Sequence, residues 1–168
     1  INIEHLNNIK IKYDDIDAAK DISNNSNRIV YIIHDNVENN NHLESDYNLE
    51  NNDDLEQQGA ISQYLENIGK AIEKYTFYKI LSRGLYLYPP NGYCGWHTNS
   101  KCIGERFYLS WCKEDNKSFF RYQDPETKEI HTKWEKKGWN INRFKVSNEK
   151  DKLLWHCVYS DTIRISMG

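Results

Sequence analysis

No apolar run in the 168-residue sequence approaches the roughly 18 residues that a membrane-spanning helix needs. The sequence also begins without a signal-peptide pattern. Its four cysteines contain neither a Cys-x-x-Cys pair nor the dense pattern of a small disulfide-linked domain; they are Cys94, Cys102, Cys112 and Cys157. These absences predict a protein with no membrane segment, with reduced thiols and with a cytoplasmic location.

Charge is distributed unevenly along the chain. Residues 1–56 carry thirteen Asp and Glu against four Lys and Arg, whereas residues 57–168 carry a surplus of Lys and Arg. A mildly basic body is compatible with an anionic substrate or cosubstrate, and equally with an ordinary soluble surface. The Asn-rich stretch 35–56 has eight acidic residues and no basic one. This composition favours a solvated, mobile loop over a substrate lid.

The pattern of apolar residues predicts one domain, 1–168, that is mostly β. Residues 1–76 would supply a strand at 28–34, the acidic loop and a supporting helix at 57–75, whose apolar positions follow a helical period: Ile61, Tyr64, Leu65, Ile68 and Ile72. From residue 77 the alternation has period two. Eight short strands are predicted, at 78–88, 93–98, 106–112, 118–122, 129–133, 139–144, 153–159 and 162–167. Short strands joined by tight turns predict an antiparallel barrel or jelly roll.

The stretch from Tyr86 to Asn99 carries the most specific chemical signal. It reads as a strand, a Pro-Pro-Asn-Gly turn and a second strand that carries His97 and Asn99. Side chains two apart on a strand share a face, so His97 and Asn99 are expected to project together. With His156 on a distant strand, they outline a facial-triad iron site in which an amide holds the usual carboxylate position.

Residues 78–168 resemble the 2-oxoglutarate- and Fe(II)-dependent oxygenases of the double-stranded β-helix (jelly-roll, cupin-like) fold. The run Tyr-x-Tyr-Pro-Pro-Asn-Gly to Trp-His-x-Asn is similar to the AlkB-type opening, and His156 followed by Arg-x-Ser is similar to the family's ending. In chain length and in its sequence motifs the chain resembles short viral members of this superfamily, either AlkB-like or prolyl-hydroxylase-like. The resemblance implies Fe(II) bound by His97, Asn99 and His156, and 2-oxoglutarate contacted by Arg164, Ser166, Tyr88 and Tyr86.

The resemblance thus implies an Fe(II)- and 2-oxoglutarate-dependent dioxygenase, a hydroxylase of a nucleic-acid base, a protein side chain or a metabolite. Asn99 leaves several alternatives open. It could bind the metal itself, or a carboxylate such as Glu105 or Asp161 could complete the shell. The site could be halogenase-like, with an anion in place of the carboxylate. Finally, the chain could be a non-catalytic β-helix binding domain that has lost the iron carboxylate.

The spacing of His156 and Arg164 makes a geometric prediction. If the two residues lie at opposite ends of a hairpin that turns near Ser160, they share a face only when the loop has an odd number of residues. The oxygenase hypothesis therefore requires such a loop, with the Arg164 guanidinium directed into the barrel.

Overall fold

A computed structural model describes residues 28–29, 31–35, 52–82 and 84–168, with side chains from residue 63 onward. Within them lie ten strands, one α-helix and a 3₁₀ turn at Lys150–Lys152. The elements are β1 (Arg28–Ile29), β2 (Tyr31–Asp35), α1 (Asn52–Glu73), β3 (Gly84–Tyr88), β4 (Gly92–His97), β5 (Gly104–Cys112), β6 (Ser118–Gln123), β7 (Ile130–Trp134), β8 (Gly138–Val146), β9 (His156–Ser160) and β10 (Arg164–Met167). Across this part of the chain, no helix is long and apolar enough to cross a membrane.

The strands form two antiparallel five-stranded sheets, which confirms the prediction that the chain is mostly β. Their orders are β1-β4-β9-β6-β7 and β2-β3-β10-β5-β8. The last eight strands pair in a nested way: β3 with β10, β4 with β9, β5 with β8, and β6 with β7. The sheets meet through a core of Tyr88 from one sheet with Phe120 and Val158 from the other.

Helix α1 covers the outer face of the second sheet. In β5 the side chains at 107, 109 and 111 are Phe, Leu and Trp, while the alternate positions 108, 110 and 112 are Tyr, Ser and Cys. Phe107 and Leu109 line a cavity of about 390 Å³ together with Leu65 and Ile68 of α1. The alternation in β5 therefore directs its apolar face to the helix and its more polar face to the space between the sheets.

Several predicted boundaries differ from the structure. The helix begins at Asn52, so residues 52–56 are not part of the predicted acidic loop; acidic side chains in a first turn suit the helix macrodipole. The rest of that loop, 36–51, lies outside the described residues. The strand predicted at 78–88 begins only at Gly84. Before it, the Glu73 side chain accepts a hydrogen bond from the Ile80 backbone N–H at 2.7 Å.

The predicted hairpin between His156 and Arg164 is wrong. β9 pairs with β4 and β6, whereas β10 pairs with β3 and β5, so residues 161–163 cross from one sheet to the other. Both side chains are nevertheless fully buried, with an exposed fraction of 0%. They reach the interior because each strand turns one face toward the opposite sheet, and not because the two strands pair with each other.

Candidate functional site

A β-bulge in β4 brings His97 into the space between the sheets. Cys94 pairs with Val158 and His97 pairs with His156, and the register shifts between these two pairs. In a regular strand, residues three apart lie on opposite faces, so His97 would point away from the side that Cys94 faces. The extra residue of the bulge reverses this, and His97 lies opposite His156. The two imidazole centroids are 4.2 Å apart.

Backbone carbonyls orient both imidazoles. Nδ1 of His97 lies 2.7 Å from the Gly95 carbonyl oxygen, and Nδ1 of His156 lies 3.1 Å from that of Leu154. A carbonyl only accepts hydrogen bonds, so each neutral ring carries its proton on Nδ1 and has its lone pair on Nε2. Metal-binding histidines in proteins are held in this way.

Asn99, the third predicted ligand, lies against His156. Its Nδ2 is 3.2 Å from Nε2 of His156 and donates a hydrogen bond to the Tyr108 hydroxyl at 2.8 Å. The amide nitrogen, and not the oxygen, thus faces the imidazole lone pair. A metal ion bound by both histidines would bind the Asn99 amide oxygen only after the side-chain amide group flips.

The two alternative carboxylates are engaged elsewhere. Glu105 accepts a hydrogen bond from Arg143 at 3.0 Å, and Asp161 lies 3.4 Å from the Lys117 ammonium group, both at the surface. Across the described part of the chain, no group of three or more His, Cys, Asp or Glu is placed to hold a metal ion. The possible ligand set here is therefore two imidazoles and one amide.

The surroundings of His156 keep its imidazole neutral. Aromatic rings of Phe144, Phe120 and Tyr108 enclose it, with centroids 5.4, 5.5 and 6.2 Å away. Burial and the neighbouring His97 hold the pKa of His156 well below its usual value. Burial also raises the pKa of Tyr108 to about 12, so its hydroxyl stays protonated. The Nε2 lone pair of His156 is consequently present at neutral pH.

The residues predicted to contact 2-oxoglutarate lie together on neighbouring strands of the second sheet. In the β3–β10 ladder Arg164 is opposite Tyr88, and Ser166 is opposite Tyr86. The guanidinium carbon of Arg164 is 5.0 Å from the centre of the Tyr88 ring. These four side chains therefore share the sheet face that includes the core residue Tyr88.

The Arg164 guanidinium already binds a carboxylate of the chain. Its Nε and Nη2 donate to the two oxygens of Glu135 at 2.7 and 3.0 Å. The exposed fractions of these two side chains are 0% and 1%. Ser110 and Cys112 also donate to Glu135, at 2.5 and 3.3 Å. The remaining nitrogen, Nη1, has no hydrogen-bond partner among the described residues.

Opposing effects act on the Glu135 carboxyl. Burial alone would raise its pKa, but the charge of Arg164 and the hydrogen bonds from Arg164, Ser110 and Cys112 outweigh burial and lower the pKa overall. The carboxylate is therefore ionised at neutral pH, and the buried pair has no net charge.

Sequence reasoning missed Glu135 and Tyr108. Glu135 lies in the β7–β8 connection within Lys-Trp-Glu-Lys-Lys-Gly, where an isolated acid among lysines has no periodic signal. Tyr108 could have been found, because the alternation of β5 puts it on the face opposite Phe107 and Leu109. The cavity beneath α1 is lined by Glu105, but by none of the residues predicted to bind Fe(II) or 2-oxoglutarate in the resemblance itself. No protein-family model, curated protein or solved structure matched the chain.

Proposed function

We propose that the chain is an Fe(II)- and 2-oxoglutarate-dependent dioxygenase, a hydroxylase, built on a double-stranded β-helix. The observation that carries the proposal is the opposition of His97 and His156, each with Nδ1 held by a backbone carbonyl. Two imidazoles that bind one metal at right angles, through Nε2 at about 2.1 Å, have centroids roughly 4.6 Å apart. The observed 4.2 Å fits that arrangement.

The strand pairing supports the double-stranded β-helix. The nested pairs β3 to β10, β4 to β9, β5 to β8 and β6 to β7 describe one long hairpin rolled over two sheets, which is how a jelly roll is wound. This winding puts the histidines on β4 and β9 and the arginine on β10 within one interior.

Each residue has a role in the proposed reaction. His97, His156 and the amide oxygen of Asn99 would hold Fe(II) on one face, and iron with 2-oxoglutarate supplies oxidising power for C–H hydroxylation when bound. The Tyr108 hydroxyl, which accepts from the Asn99 amide nitrogen in this structure, would donate to the amide oxygen once the amide has flipped and so orient it toward the metal. Arg164 would attract the far carboxylate of 2-oxoglutarate, beside Ser166, Tyr88 and Tyr86.

Two observations favour a second function, a non-catalytic β-helix binding domain that has lost the iron carboxylate. Asn99 offers a neutral oxygen where the resemblance expects an anionic one. In addition, Glu135 already accepts hydrogen bonds from Nε and Nη2 of Arg164, the two donors that a ligand carboxylate would use. In that case the interior would bind a small ligand without turning it over.

Succinate release separates the two functions. Purified protein with Fe(II), 2-oxoglutarate and dioxygen, without added substrate, is expected to release succinate slowly. His156→Ala is expected to abolish the release, while His131→Ala, which removes a half-exposed histidine on β7, should leave it unchanged. No release from wild-type protein that binds Fe(II) would favour the binding domain.

A further inference from the structure

We infer that Glu135 competes with 2-oxoglutarate for Arg164 and thereby determines how strongly the site selects an oxo acid with a second carboxylate. The inference rests on the proposed function, and it concerns a residue outside every motif that suggested that function. Glu135 reaches the interior from the β7–β8 connection, where its backbone N–H donates to the Ser118 carbonyl at 2.9 Å.

The geometry of the pair is that of a bound carboxylate ligand. A guanidinium presents Nε and Nη2 as a fork that matches the two oxygens of a carboxylate. Glu135 fills this fork with contacts of 2.7 and 3.0 Å, and Ser110 adds a third donor at 2.5 Å. An incoming carboxylate must therefore displace Glu135 or use another part of Arg164.

The charge of Glu135 disfavours the binding of a second carboxylate at Arg164. With Glu135 ionised, the pair is neutral, and the donors around it, Ser110 and Cys112, are uncharged. A second carboxylate brought to Arg164 would meet no net positive charge and would lie beside a like charge in a buried setting. Such juxtaposition is strongly unfavourable where water is excluded.

One donor of Arg164 remains for a ligand. Nη1 is fully buried and has no partner in the described part of the chain. Buried donors are nearly always satisfied, so this one leaves a place for an acceptor that the described residues do not supply. An oxygen at Nη1 can bind while Glu135 keeps the fork, which leaves single-point binding of 2-oxoglutarate in the wild-type protein.

Glu135→Gln tests the inference, because Gln keeps the side-chain shape and removes the charge. Calorimetric titration of the Mn(II)-loaded protein would compare 2-oxoglutarate with 2-oxobutyrate, which has a single carboxylate. We expect the variant to bind 2-oxoglutarate at least about ten-fold more tightly than wild type, with 2-oxobutyrate affinity nearly unchanged. Glu105→Gln, the same charge change at a surface ion pair, should alter neither.

A second measurement tests the inference even if Glu135→Gln is destabilised by the loss of the counter-charge to Arg164. The melting temperature of the variant should rise more with 2-oxoglutarate than with 2-oxobutyrate, since only the former can pair with Arg164. Adding Arg164→Gln to this variant should remove both the ten-fold gain and the difference in melting temperature.

The outcomes are distinguishable. If Mn(II)-loaded wild type already binds 2-oxoglutarate far more tightly than 2-oxobutyrate and Glu135→Gln changes neither affinity, the inference is overturned and the proposed function stands. An equal gain for both oxo acids also overturns it, because it would reflect general loosening of the interior. If neither protein binds any oxo acid although both bind Mn(II), the inference and the proposed function fail together.

Discussion

His97 and His156 are directly opposed in the β4–β9 ladder, and the bulge after Cys94 turns His97 toward its partner. The pairing puts the two imidazole centroids 4.2 Å apart, and aromatic rings surround His156. The proposed function assigns a shared metal ion to this pair of histidines.

Removal of either histidine should abolish metal binding. We expect one Mn(II) site in the wild-type protein by calorimetric titration, and no detectable binding in His97→Ala or His156→Ala, because one imidazole and an amide hold a divalent ion poorly. His131→Ala, at a half-exposed position on β7, is the matched control. Retained affinity in His97→Ala, with an unchanged melting temperature, would exclude His97 as a ligand.

Asn99→Asp should tighten metal binding by on the order of ten-fold, because an anionic oxygen replaces a neutral one next to His156. Asn148→Asp makes the same charge change at an exposed position after β8 and should have no effect. Titration of both variants with Mn(II) measures the difference. Equal affinity in the two variants would remove Asn99 from the ligand set.

Tyr108→Phe should weaken metal binding about ten-fold, within the range seen when a residue that orients a ligand is lost. The variant deletes only the hydroxyl that accepts the Asn99 hydrogen bond at 2.8 Å. Tyr159→Phe, which removes a hydrogen bond to Asn91 at the surface, is the control. In Asn99→Ala the Tyr108→Phe change should have no further effect, because the residue that Tyr108 orients is gone.

Glu135→Gln should destabilise the fold at neutral pH by roughly 3–5 kcal/mol, because it leaves the Arg164 cation buried without a counter-charge. The folded-state pKa of Glu135 lies below 4.5, the ordinary value for a glutamate side chain. The stability that its ionisation contributes is therefore present above pH 4.5 and is lost as pH falls through the folded-state pKa.

Urea unfolding of wild type and Glu135→Gln at several pH values tests this dependence. The difference in unfolding free energy between the two proteins should be constant near neutral pH and should shrink as the pH falls below 4.5. Glu105→Gln is the control, since its surface pair should contribute less than about 1 kcal/mol at any pH. A difference that persists unchanged in acid would mean that Glu135 acts through its shape rather than its charge.

The sequence by itself was sufficient for the features that depend on local periodicity. The helical stripe of α1, the alternation after residue 77 and the turn signals predicted a mostly β chain with one helix on its surface. The motifs around His97 and His156, and the family resemblance that singled out Arg164, named residues that the structure brings to the interior or its edge. The proposed chemistry of these residues remains a prediction.

Tertiary structure decided which strands pair and which side chains meet. Backbone hydrogen bonds do not distinguish one strand from another, so the short connection 161–163 was compatible with a hairpin although it crosses between sheets. The bulge in β4 depends on packing against β9, and no residue pattern marks it. Glu135 contacts Arg164, which lies 29 positions later in the sequence, because the β7–β8 connection lies next to the start of β10. Burial of that ion pair, a product of the whole fold, determines whether Arg164 is available to a ligand.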